Sequence, residues 1–426
     1  MKALMHTLAT ASLLCSLSVQ ADKIAIVGGT LHTMAEQGSL TDKALLIDGE
    51  RVADIVEMDA VPDGYQIINA KDKVITPGLI GAVTQLGLEE VGYSAGTVDA
   101  SVDKSDFSPL GAAFDVSYAL NPDSSLIDIS RIEGITSAAS GINRSAGLFK
   151  GQGAMISLGD APSMLIKSKA FMTVDVNNDG ADNNSGSRAA LWPMLENALN
   201  EAASRKGKLL EPSDEWFGSL AKADINALQN VLDGSEPLMM AAHRVADIRQ
   251  VISFKARHPD IKVVLLYATE GWMIAQDIAE AGIPVILNPE SNLPYAFDQL
   301  AATLANAGRL ADAGVLISIG MESHNIRLVT QQAGNAVANG LSWEDGLASL
   351  TINTARIYAI DKDYGSLQAG KIADVVVWSD DPLEVMNAAE MVIIHGEPIK
   401  LESRQTKLRD RYMQASKQKP VHYQRP

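Results

Sequence analysis

Val74-Ile75-Thr76-Pro77-Gly78-Leu79-Ile80-Gly81-Ala82-Val83-Thr84-Gln85 is the stretch from which the chain is best understood. The β-branched run Val74–Thr76 predicts a strand. Pro77-Gly78 breaks it, and Leu79 to Thr84 predicts a second strand, buried on both faces. The break therefore marks a passage from one sheet into another.

On its N-terminal side, residues 22–75 are short β-rich runs divided by turns. Lys23 to Val27, Ala44 to Ile47 and Arg51 to Ile55 predict strands, with a hairpin turning at Asp48-Gly49. The same style returns between Gly365 and Lys400, where Gly365-Ser366-Leu367-Gln368-Ala369-Gly370-Lys371-Ile372-Ala373-Asp374 leads into Val375–Trp378. Between these ends, apolar runs alternate with helical patterns. Ile135–Ala139, Ala154–Leu158, Leu238–Ala242, Val263–Tyr267, Val285–Leu287 and Leu316–Ile319 predict strands. Arg188–Ala203, Arg244–Arg257, Trp272–Ala281 and Tyr295–Ala307 predict helices. Such alternation implies an α/β fold with parallel strands and crossover helices, either a barrel or a doubly wound sheet.

Composition narrows the function classes. The 426 residues carry a net charge of −17, which disfavours nucleic acid and anionic membrane surfaces as partners. Aromatic residues are only 5%, so the core must be aliphatic. Residues 1–21 have the form of a signal peptide, with Lys2, an apolar run Leu8–Val19 and Val19-Gln20-Ala21 at cleavage spacing; a buried N-terminal helix or a membrane anchor is the other reading. Cys15, the sole cysteine, lies inside that segment, which suits an oxidising periplasm. Arg404, Lys407, Arg409, Arg411, Lys417, Lys419 and Arg425 make residues 401–426 a basic tail, expected as a surface helix or a mobile end. Asp175, Asn177, Asp179 and Gly180 match the first half of a calcium loop, but Gly186 stands where its bidentate glutamate belongs; a solvated surface loop is expected over 175–186.

These motifs resemble the amidohydrolase superfamily, and Gly134-Ile135-Thr136, Gly151-Gln152-Gly153, Ser342-Trp343-Glu344-Asp345, Leu350–Ala355 and Asp381-Pro382-Leu383 resemble its imidazolonepropionase-related subgroup. The resemblance implies a (β/α)8 TIM-like barrel over residues 76–362 and a small β-sandwich built from both chain ends, 22–75 and 363–400. It also implies a hydrolase of carbon–nitrogen bonds in a small amide or cyclic amide, using one or two divalent metals, zinc by preference.

The family's ligand positions are largely replaced. The first strand holds Gly81 for an aspartate, and Val83 and Gln85 for two histidines. The fifth keeps His243. The sixth has Tyr267-Ala268 for histidine-glycine, and the eighth has Glu322 for the aspartate, with His324 two residues on. Glu322, His243 and Tyr267 are the candidate catalytic residues; His243, Glu322 and His324 are the candidate ligands for a single weakly held metal. A lone strand-end histidine is as readily a hydrogen-bonded structural group, and His324 a loop residue. Two functions therefore stand: a hydrolase with a reduced site, or a non-catalytic relative that binds a small molecule or pairs with an active paralogue, as a homo- or hetero-oligomer.

Overall fold

The computed structural model describes residues 23–90, 98–102, 111–161, 163–205, 207–321 and 325–415. The expected signal segment and Cys15 lie outside them, as do Glu322 and His324. No helix among the described residues is long and apolar enough to cross a membrane.

The core is an eight-stranded barrel whose strands follow one another in chain order: β1 Leu79–Thr84, β2 Ile135–Ser140, β3 Phe149–Ser157, β4 Leu165–Asp175, β5 Leu238–Ala242, β6 Val263–Tyr267, β7 Val285–Leu287 and β8 Ile317–Ile319. Residues alternate in and out along each strand, as a period of two requires. Ile80, Ala82, Ala139, Met155, Phe171, Met239, Ala241, Val264, Leu266 and Ile286 fill the interior. Leu79, Ile135, Met240, Leu265 and Val285 face the surrounding helices. Tyr358 closes the floor; its hydroxyl donates to the Ala82 carbonyl and its ring meets Phe171 edge-on at 5.4 Å.

Two features depart from the expected alternation. β3 runs antiparallel to both β2 and β4, so the second to fourth strands form a meander without crossover helices. The connections are too short for crossovers, eight residues before β3 and seven after it. Within the meander Gly141 and Gly153 leave room for the Phe171 ring, and a Cβ on Gly153 would lie 2.1 Å from Phe171 Cζ. The barrel also closes thinly. Among the described residues no strand ladder joins β8 to β1; the Val83 N–H donates to Gly320 O at 2.8 Å, while the Ile80 N–H turns away to Leu350 O.

The chain ends make a sandwich. A four-stranded sheet has the order Arg51–Glu57, Lys43–Asp48, Lys23–Val27, Gln66–Asn69. A six-stranded sheet brings Val375–Trp378 against Val74–Pro77, with Val377 opposite Ile75. Ile24, Ile26, Leu45 and Ile47 of one sheet pack on Leu31, Ile75, Val375 and Ile393 of the other. The hairpin turns as expected, with Asp48 paired to Arg51 and Gly49 at a φ of +60°. Trp378 ties the sandwich to the barrel: its indole N–H bonds Thr76 Oγ1, and its ring lies where a Cβ on Gly134 would stand.

Three expected elements come out differently. Tyr295–Ala307 is not helical; its regular helix starts only at Asn306 and runs to Asp312. The segment's polar groups serve neighbours instead: the Ala301 N–H donates to Glu270, its carbonyl accepts from the Trp272 indole, and Asp298 accepts from the Asn178 N–H. Residues 175–186 are not a solvated loop. They hold a short helix, Asn178–Asn183, capped by Asn177, with Asn177, Gly180 and Asn184 buried. Only glycine fits at 180, because a Cβ there would meet Asp175 O at 1.9 Å. Trp272–Ala281 begins as a 3₁₀ turn, Gly271–Ile274, before the helix Ala275–Glu280. The basic tail contains a helix, Arg404–Ala415.

Candidate functional site

The carboxyl ends of the parallel strands open on a cavity of about 230 Å³. This is the end of a barrel where ligand-handling residues gather. Val83 and Gln85 at the end of β1, Phe171, Thr173 and Asp175 on β4, and Tyr267 on β6 all line it. Val83, Gln85 and Tyr267, three positions singled out in the sequence, thus line one cavity. Because β3 is antiparallel, its first turn lies at this same end and contributes Lys150.

Lys150 and Asp175 form the charged pair of the cavity, with Nζ 2.6 Å from Oδ2 and both side chains nearly buried. A second Lys150 donor bonds Asn143 O at 2.7 Å. Sequence reasoning missed both residues as site groups. Lys150 has a faint signal, a lone charge inside the Leu148–Gly153 run; Asp175 was absorbed into the calcium-like reading.

His243 is placed behind this cavity, not among its lining residues. Its ring stacks under Tyr267, centroids 4.7 Å apart. Nδ1 lies 2.8 Å from Thr269 Oγ1, and Nε2 lies 3.4 Å from Gln299 Nε2. The tautomer that satisfies both carries its proton on Nδ1 and accepts at Nε2. Burial lowers its pKa, opposed by Asp298, Asp179, Asp175 and Asp247. Arg188 anchors the acids behind it, 2.9 Å from Asp247 and 3.6 Å from Asp298.

Tyr267 and Ala268 both take positive φ, +71° and +42°. Left-handed backbone at two successive non-glycine residues is strained, and such strain persists where surroundings dictate it. Here the Ala268 carbonyl is held by Asn306 and by the Gly271 N–H.

The donor set does not fit a binuclear metal centre. Val83 has no donor, Gln85 offers a neutral amide, and both His243 nitrogens are engaged. Gly81 leaves no space for a carboxylate, since a Cβ there would lie 2.9 Å from Thr84 Cγ2. Among the described residues no three His, Cys, Asp or Glu side chains are grouped to hold a metal ion.

A parallel-rich barrel joined to a sandwich of both chain ends defines an amidohydrolase-type fold. Residues 255–399 match the model of the amidohydrolase family. That match spans 145 of the 426 residues, and the fold of the rest is similar to that of solved amidohydrolases. An amidohydrolase from Thermotoga maritima superposes with a TM-score of 0.77 at 23% identity, covering 88% of this chain and 99% of its own. Molinate hydrolase follows with a TM-score of 0.56 at 15% identity over 90% and 95% of the two chains. A prolidase solved with N-methylphosphonate-L-proline gives 0.54 at 16% over 89% and 99%. No curated protein matches the sequence.

Proposed function

We propose that this chain is a small-molecule-binding member of the amidohydrolase superfamily whose barrel mouth is built on a lysine–aspartate pair in place of a metal pair. The observation that carries this is the make-up of β1: Val83 and Gln85, which stand where the resemblance implies metal ligands, line the cavity, and Gly81 is packed shut. The charge the cavity does keep is Lys150 with Asp175. Elemental analysis of protein purified without chelator is expected to give less than one zinc per chain after dialysis. Two ions surviving dialysis would overturn the reading. The triple substitution Val83→His, Gln85→His and Tyr267→His supplies donors and unstacks His243, and zinc occupancy is expected to rise above wild type.

A second reading is hydrolysis of a carbon–nitrogen bond in a small amide or cyclic amide, with Glu322 as base, His243 and Tyr267 beside it, and one ion at most near His243, Glu322 and His324. Its support is the family match over residues 255–399, which spans β6 to β8. Turnover of an amide panel by the wild-type chain, lost in Glu322→Gln, would establish it. Either function is proposed for an exported protein cut after Ala21, for which N-terminal sequencing would begin at Asp22.

A further inference from the structure

Lys150 has three donors, and two are committed, to Asp175 Oδ2 at 2.6 Å and to Asn143 O at 2.7 Å. Its side chain is almost buried and lines the cavity. The cavity therefore presents one remaining cationic donor beside one carboxylate, held about a hydrogen-bond length apart. The pair is neutral as a whole. A ligand with a net charge would leave that charge uncompensated in a half-enclosed site, which is costly. A neutral ligand avoids this cost, and one with a full positive and a full negative group makes two charge-assisted hydrogen bonds, each about twice as strong as a neutral one.

From this geometry we infer that the barrel mouth binds a small apolar α-amino acid as its zwitterion. The ligand carboxylate takes the third Lys150 donor, and its ammonium faces Asp175 and the Thr173 hydroxyl. In an α-amino acid the two charged groups sit on adjacent carbons, which matches the spacing of the Lys150–Asp175 pair head to tail. Val83, Ile142, Phe171, Leu266 and Met321 supply the apolar half of the lining, suited to an aliphatic side chain. The cavity of about 230 Å³ lies below the roughly 300–1,000 Å³ of pockets that take drug-sized ligands, which suits a smaller one such as valine or leucine. This inference rests on the small-molecule-binding reading above and names its ligand class.

Isothermal titration calorimetry on the full chain tests it, using L-valine, L-leucine and L-methionine against N-acetyl-L-leucine, L-leucinamide and 2-pyrrolidinone. The free amino acids are expected to bind, and the two blocked leucines, each missing one charge, to bind about tenfold or more weakly. The double substitution Lys150→Met with Asp175→Asn leaves no lone buried charge and is expected to abolish binding. If that variant does not fold, the wild-type ligand series alone decides. Equal binding of leucine and leucinamide, or no amino-acid binding at all, overturns the inference. Binding of 2-pyrrolidinone without any amino acid overturns it too, yet leaves the small-molecule-binding reading standing; two retained zinc ions overturn that reading instead.

Discussion

Glu236 stands two residues ahead of β5 with both carboxylate oxygens buried and without a hydrogen-bond partner. Burial pushes its pKa up to about 8, with Asp115 adding to the rise and Asn230, Lys169 and Lys167 opposing it. The folded state therefore holds a proton that the unfolded chain releases near the ordinary carboxylate range. This group's contribution to stability falls as pH rises from about 4.5 to about 8 and then levels, a loss on the order of several kcal/mol. Glu236→Gln removes the ionisation, so urea midpoints at pH 5 and pH 8 should converge in the variant relative to wild type. A wild-type midpoint that rises by as much as the variant's across that interval would count against a buried neutral acid. Nothing in the sequence singles out Glu236, because burial is a property of the assembled floor. The same limit hid Lys150 and Asp175, which are 25 residues apart and meet only because β3 reverses. Val83, Gln85 and Tyr267 were legible, since strand-end positions follow from the frame of each strand.

Elements were legible where the pattern is local. Leu79–Thr84, Leu238–Ala242, Val263–Tyr267 and the helix Arg188–Ala203 form with the expected bounds, each carrying its own periodicity. Tyr295–Ala307 failed because tertiary partners claim its polar groups, a competition that propensity does not register. The reversal of β3 was hidden because the strand begins at Phe149, five residues before the expected Ala154, which shortens its connection from β2 to hairpin length; within it, Gly153 packs against the Phe171 ring. Gly153→Ala tests that packing. The new methyl must displace the Phe171 ring, and overpacking of this kind costs about 1–3 kcal/mol, readable as a lowered urea midpoint. Gly180→Ala acts on the neighbouring turn. Its methyl collides with the Asp175 backbone, so the Lys150–Asp175 pair should loosen and ligand affinity fall with it. Unchanged affinity in a folded Gly180→Ala variant would show that the turn does not position Asp175.

At the scale of the whole molecule, one sandwich from two chain ends was expected from the resemblance carried by the Gly365–Asp374 run; Val74–Pro77 pairs there with Val375–Trp378 and Thr30–Leu31. Trp378 sits at the joint, buried against Gly134 and bonded to Thr76. Trp378→Ala should cost about 3–5 kcal/mol, and fluorescence and far-UV circular dichroism should shift together, because the cavity opens between the two bodies. A shift confined to one probe would mean that they melt separately. The thin closure between β8 and β1 has a different consequence. A hoop with a clasp opens at the clasp, so the Val83 amide is the place to look for breathing. In native-state hydrogen exchange it should lose protection at a lower free energy than amides of β5 and β6, which sit in continuous parallel ladders on both sides. The opening of that clasp would part Val83 from Gly320 and widen the very rim over which a ligand enters.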